Sequence, residues 1–269
     1  MKKILIANRG EIAIRIARTC NDLGIKTVGI FSEDDINSLH LSKMDESFMI
    51  DEKGASAYLN IKKIIAIAKQ EKVDGIHPGY GFLSENPAFA KAAKQARLKF
   101  IGPSEKSLTI FGDKSEAKKL ALKLDIPVVR GTQGKTSLKQ ASSFFKDLKK
   151  NSSVVIKAIA GGGGRGMRVV DLESDLKDAM SRASSEAKSA FDSSDLYVEE
   201  YLKNYRHVEI QVLGDGKGQA THMHERECST QRRHQKIIEI APAPGIKKEL
   251  KEKMFDASVA LIKASKYEG

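Results

Sequence analysis

The sequence predicts an α/β protein in three parts: a parallel layer of Rossmann type, a small α+β unit around a glycine hairpin, and an unfinished strand-rich part. Three observations lead there. Apolar strand patterns alternate with helical patterns from residue 3 to 101. Two β-branched runs, 154–156 and 167–170, flank a loop holding five glycines and an arginine. A polar–apolar alternation over His207–Leu213 then leads through Gly214-Asp215-Gly216-Lys217-Gly218 into a further strand at Ala220–His224.

In the first part Lys3–Ala7 is an apolar strand, and Ile12, Ile16 and Cys20 give residues 11–23 helical spacing. Gly24 stops that helix and Thr27–Phe31 is the next strand. A helix over 61–71, a strand over 73–76, a helix over 87–97 and a strand over 98–101 complete a parallel layer. Its first turn, Asn8-Arg9-Gly10-Glu11, lacks the glycine spacing of a dinucleotide site, so NAD is not expected. The loop Ile76–Asn86 follows a strand, where open α/β sheets place ligands; it reads equally as a plain crossover with Phe82 and Leu83 packed inward.

Residues 104–125 form a helical bridge, in which Asp113 and Glu116 resemble a capping box opening a helix over 114–124 and Pro127 closes it. Lys114 falls in the first turn of that helix, where the dipole disfavours cations; a solvated lysine tolerates this, and an anion at the helix start explains it better. The second part runs through a helix at 137–150, the glycine hairpin, a helix at 173–190 and a strand at 195–199.

The hairpin carries the chemistry. Common glycine-rich nucleotide loops lead from strand to helix, whereas this one leads from strand to strand. Four consecutive glycines exceed what a two-residue turn requires. They permit close approach of successive amides to an anion such as phosphate, and Lys157 at the end of the first strand adds a positive charge. A floppy surface turn is the plainer alternative.

Further along, Leu196–Leu202 reads as an edge strand running into a hinge, with backbone groups open to an adenine edge or simply as a domain junction. His207 and Glu209 share the polar face of the next strand, which is either a wet surface or a site floor. Glu225–Lys236 is almost uninterruptedly polar: an exposed loop, or a cationic shelf suited to a polyanion or bicarbonate. Cys228 inside it reads as an inert small residue. Ala241-Pro242-Ala243-Pro244-Gly245 breaks the chain before a helix over 247–265.

Composition excludes several classes. Of the 269 residues 41% are hydrophobic and 30% charged, as in a soluble globular chain. The net charge of +11 is spread along the sequence, and 6% aromatic content without tryptophan gives no base-stacking platform, so nucleic acid is not the expected partner. No stretch is long enough to span a bilayer, so no membrane association is expected. Cys20 and Cys228 have neither metal nor redox spacing, which suits a reducing cytoplasm.

Taken together, Ile6–Ala13, His77–Asn86, Phe111–Lys114, Gly161–Met167, Arg206–Gln211 and Gln231–Lys236 resemble biotin carboxylase, of the ATP-grasp superfamily, over the whole length and in order. The resemblance implies a Rossmann-like pre-ATP-grasp domain over 1–112, a helical linker over 113–128, an ATP-grasp lid over 129–201 and the start of the ATP-grasp C-terminal domain over 202–269. It implies that Lys114 and Lys157 contact ATP phosphates with the Gly163 and Gly164 amides closing over them, and that Met167 joins the nucleotide pocket. Glu199, Glu200, Tyr201 and Leu202 would line the adenine, with Glu199 and Leu202 as hinge contacts. His207, Gln231 and His234 would hold the ribose and phosphate side, Lys236 would bind bicarbonate, and Tyr80 would approach biotin.

The implied reaction converts ATP, bicarbonate and a biotin carrier protein to carboxybiotin carrier, ADP and phosphate through carboxyphosphate, with Mg2+ or Mn2+. The expected setting is an acetyl-CoA carboxylase of fatty acid synthesis. The alternatives are a propionyl-CoA, methylcrotonyl-CoA, pyruvate or fused multidomain carboxylase, or a non-catalytic ATP-binding module. Expected partners are the biotin carboxyl carrier protein, carboxyltransferase subunits or domains, and a second copy meeting the N-terminal domain. Ile159 and Ala160, where the family usually carries Gly or Ser, resemble large fused carboxylases, and Ile240 replaces a common acidic residue. The family's metal-binding carboxylates are expected beyond Gly269, so no metal ligand is assigned here and the 269-residue chain is expected to be inactive alone.

Overall fold

The computed structural model describes residues 1–149, 152–159, 167–232 and 235–269. By contacts the chain divides into two units. The first comprises Met1–Gly112 with Gly214–Lys217 and Lys266–Gly269; the second comprises Asp113–Leu213 and Gly218–Ser265. Among the described residues no helix is long and apolar enough to cross a membrane.

In the first unit β1 (Lys3–Ile6), α1 (Gly10–Asp22), β2 (Lys26–Ser32) and β3 (Glu46–Ile50) are followed by α2 (Ala55–Leu59), α3 (Ile61–Gln70) and β4 (Gly75–His77). Then come α4 (Pro87–Gln95), β5 (Lys99–Phe100) and α5 (Glu105–Gly112). The strands form one parallel sheet in the order β3-β2-β1-β4-β5. β1 shows why both faces are covered. Ile4 and Ile6 pack with Ala13, Ile16, Ala17 and Cys20 of α1, while Leu5 and Ala7 join Val28, Ile30, Tyr58, Ile64, Ile76 and Phe89 on the other side. β3 was not expected from the sequence; its Glu46-Ser47-Phe48-Met49-Ile50 has only Ile50 fully buried, so its apolar signal is weak.

The second unit opens with α6 (Lys114–Lys123), capped by Asp113, whose carboxylate accepts from the amides of Ser115 and Glu116 at 2.8 and 3.1 Å. After α7 (Leu138–Lys146), started by a Ser137–Gln140 capping box, come β6 (Ser153–Ala158), β7 (Arg168–Val170), α8 (Leu176–Phe191) and β8 (Leu196–Tyr201). β6 and β7 are the antiparallel arms of the glycine hairpin, and β8 pairs with β6 on its other side. Val154, Ile156 and Ala158 of β6 and Leu196 and Val198 of β8 bury one face against α7 and α8. The alternation leaves Val155 and Lys157, with Tyr197, Glu199 and Tyr201, on the other face.

β9 (Val208–Gly214), β10 (Ala220–Arg232), β11 (Gln235–Ile240) and α9 (Lys248–Ser265) complete the chain. β10 lies between β9 and β11 and is far longer than the expected Ala220–His224. The polar stretch is thus mostly strand and not loop. The chain end returns to the first unit, where Gly214 and Gly269 exchange backbone hydrogen bonds and Tyr267 sits edge-on to Phe111.

Candidate functional site

On the sheet face of β6 and β8 turned away from α7 and α8 lies a cavity of about 380 Å3, walled by Val129, Val155, Met167, Val169 and Leu202 and carrying Lys157 and Glu199–Tyr201. Its apolar walls with a few charged groups suit a flat heterocycle joined to an anion. Lys157 and Glu199 are diagonal neighbours across the β6–β8 ladder, since Val155 pairs with Glu199 and Lys157 with Tyr197. Their side chains meet, Lys157 Nζ lying 2.7 Å from Glu199 Oε2. The other carboxylate oxygen takes Lys118 of α6 at 3.2 Å. Lys114, one helical turn before Lys118, is exposed at the surface; partial desolvation lowers its ammonium pKa, the Lys157 charge lowers it further, and Glu199 works against both. Three lysines gathered round one carboxylate leave a net positive charge that favours a polyanion.

β8 is not an open edge. Arg130–Thr136 runs along its outer side: the Glu200 amide donates to the Arg130 carbonyl, the Thr132 amide to the Val198 carbonyl and the Thr136 amide to the Leu196 carbonyl. Glu199 is therefore flanked by Val155 on one side and Gly131 on the other. On this flank the Leu196 and Val198 carbonyls and the Glu200 amide are taken, and the cover ends before Tyr201 and Leu202. The Glu199 side chain serves the lysines.

A second group sits on the strands that follow. The Gln231 side-chain amide lies 2.6 Å from His207 Nδ1 and donates to the Cys228 carbonyl at 2.9 Å. With the amide donating, Nδ1 accepts and the ring proton is on Nε2, which is left to donate. The His207 amide donates to Ser229 Oγ at 2.7 Å and its carbonyl accepts from the Cys228 amide at 2.7 Å, so the backbone is fixed while Gln231 holds the ring at Nδ1.

Lys236, opposite Gln231 in the β10–β11 register, bonds Glu209. That hydrogen bond raises the Lys236 pKa against the opposing effect of burial. Burial pushes the Glu209 carboxyl up, but Lys236 and Arg226 outweigh it and hold the group below its ordinary value. Arg226 donates to Glu209 at 2.8 Å and to Gln211 at 3.1 Å. Cys228 is fully buried, and burial followed by the Glu209 charge raises its thiol pKa, so it is no nucleophile.

Tyr80 belongs to the first unit. Its ring is exposed and its hydroxyl bonds Glu11, which raises its pKa. The loop is fastened by buried Asn8, whose amide donates to the carbonyls of Pro78 and Tyr80 at 2.7 and 2.8 Å. Leu83 is buried and Phe82 stacks on Tyr58, with ring centroids 5.1 Å apart. Gly163, Gly164 and His234 lie outside the described residues. Among the described residues Glu209, Cys228 and Glu239 are near enough to share a metal ion. A buried thiol and a carboxylate already paired with two cations do not suit Mg2+, which takes oxygen ligands in octahedral array.

Residues 1–108 match the family model described as biotin carboxylase, N-terminal domain, and residues 113–269 match carbamoyl-phosphate synthase L chain, ATP binding domain. The chain belongs to the biotin carboxylase family. Pyruvate carboxylase of Staphylococcus aureus is 48% identical over 269 residues, covering 99% of this chain and 23% of that protein. Among solved structures, the biotin carboxylase–βγ-ATP complex from Campylobacter jejuni superposes with a TM-score of 0.96 at 43% identity, covering 100% of this chain and 60% of the other. The biotin carboxylase domain dimer of Hydrogenobacter thermophilus 2-oxoglutarate carboxylase, in complex with MgADP, ADP and bicarbonate, gives 0.95 at 40% identity, with 100% and 59% covered. The chain thus spans about a quarter of the curated relatives' length. In this biotin carboxylase chain, Lys118 and Arg226 join the charged clusters without having been singled out in the sequence. The signal for Lys118 was its spacing of four from Lys114, which puts both on one side of α6.

Proposed function

We propose that the chain carries the nucleotide- and bicarbonate-binding part of a biotin carboxylase half-reaction. ATP and bicarbonate would give carboxyphosphate, and the carboxyl group would pass to N1 of carrier-linked biotin. The observation that carries this reading is the cavity bearing Lys157 and Glu199, with Lys114 brought beside them by α6. Its apolar walls would take the adenine between Val155, Met167 and Leu202. Lys114 and Lys157 would neutralise the phosphates, and the Gly163 and Gly164 amides would close over them. His207, with its ring held by Gln231, would meet the ribose and phosphate side with Gln231 and His234. Lys236, oriented by Glu209, would bind bicarbonate, and Tyr80 would approach biotin. Mg2+, when bound, would neutralise phosphate charge.

The relatives favour a keto-acid acceptor. They include a pyruvate and a 2-oxoglutarate carboxylase, together with a biotin carboxylase, whereas the resemblance alone pointed to the acetyl-CoA type. We therefore place the chain in a pyruvate carboxylase-like enzyme, with a biotin carrier and a carboxyltransferase as partners and a second copy meeting the N-terminal domain.

Titration of the chain with a fluorescent ADP analogue tests the nucleotide site, and saturable binding that Lys157→Met weakens is expected. No binding by the wild-type chain refutes the site. In the complete enzyme Lys236→Ala should lower bicarbonate-dependent ATP hydrolysis roughly 100- to 1,000-fold, the loss typical of one electrostatic contact to reacting groups. Unchanged turnover refutes the Lys236 assignment.

A further inference from the structure

Lys118 has no place in the roles set out above, yet it is tied to them. It does not line the nucleotide cavity. Its side chain is only 16% exposed and reaches Glu199 Oε1 while Lys157 holds Oε2. The chain makes room for this contact. A Cβ at Gly131 would lie 2.9 Å from Lys118 Nζ, 2.9 Å from Glu199 Cγ and 2.7 Å from the Val198 carbonyl, so a side chain there would push the pair apart. Three lysines surround one carboxylate, and two of them, Lys114 and Lys118, stand one turn apart on α6.

We infer that Lys118 is a positioning residue for the nucleotide polyphosphate, acting through Glu199 on Lys157. This rests on the nucleotide reading of the cavity. A carboxylate beside a triphosphate is a liability, because like charges repel. Lys118 neutralises Glu199 from the side away from the cavity. Glu199 can then fix the Lys157 ammonium with one of its three N–H donors, leaving two for phosphate oxygens. Without Lys118 the carboxylate keeps its hydrogen bond to Lys157 but loses its second bonded cation, so it draws more of the Lys157 charge away from the phosphates.

The test is titration of the full 269-residue chain with a fluorescent ADP analogue, alongside thermal melts. Lys118→Met should raise Kd about tenfold, and Lys118→Arg should stay within about twofold. Lys119→Met, on the same helix but paired with Glu116 at the surface, should leave Kd unchanged. In a Lys157→Met background, Lys118→Met should add little, since its effect passes through Lys157. Additive losses in the double variant overturn the inference, as does a Lys118→Met chain that binds like wild type while Lys157→Met is weakened. If Lys118→Met does not fold, Lys118→Gln takes its place in the same cycle. A wild-type chain that binds no nucleotide overturns the cavity reading, and this inference falls with it.

Discussion

Asp35→Asn should cost the first unit about 1–2 kcal/mol at neutral pH. The Asp35 carboxylate accepts from Arg9 Nε at 2.6 Å and Nη2 at 2.8 Å, and from the Tyr58 hydroxyl at 2.7 Å. The Arg9 hydrogen bonds outweigh burial and hold its pKa at about 2, against an ordinary 3.8. A depression of that size corresponds to roughly 2.4 kcal/mol by linkage. The Asp35 side chain is 12% exposed but its Arg9 partner is 47% exposed, so solvent screening reduces the figure to the range given. The folded pKa lies below the unfolded one. The contribution is therefore complete above about pH 5 and is lost as the pH falls toward 2. The assay is urea unfolding of wild type and Asp35→Asn across pH 7 to pH 3, with melts at pH 7 expected to differ by roughly 2–8 °C. A stability difference that is independent of pH refutes the reasoning, because the loss would then be one of shape and not of charge.

Two further substitutions probe the supports of the site. Gly79→Ala places a side chain at φ +66°, with its Cβ 2.7 Å from the buried Asn8 amide. It should cost about 1–3 kcal/mol and raise hydrogen exchange through the Tyr80 loop; unchanged exchange there would show that Asn8 is not what fastens it. Lys251→Met removes the cation bonded to Glu225, a carboxylate only 2% exposed, and should cost about 2–4 kcal/mol. Adding Glu225→Gln should recover much of that loss in a urea melt, and no recovery would assign the cost to lost packing of the lysine stem.

The parallel layer was legible because its strands are buried on both faces and its helices carry one apolar stripe, so each element announces itself locally. β3 was not, since its exposed residues mix Glu46 with Met49 and give no clean alternation, and its place is set by pairing with β2. The stretch from Glu225 to Lys236 misled for a different reason. Strand character there rests on charged pairs, such as Arg226 and Lys236 with Glu209 of β9, which alternation of apolar residues cannot signal. Lys157 and Lys114 could be named from motif and position. Their meeting round Glu199 could not, because it depends on a β6–β8 register spanning some forty residues of chain. The segment covering β8 was equally silent, being backbone contacts of residues with no strand pattern.

The strand order has a consequence for synthesis. β1 is the middle strand of its sheet and is made before the other four, yet its second neighbour, β4, is made about seventy residues later, with Ile4 meeting Gly75. Until then Ile4, Leu5 and Ile6 have a partner on one flank alone, and the nascent strand must be held without its final seat. Stalling the ribosome before and after β4 has emerged would bracket the moment at which the layer becomes protease-resistant.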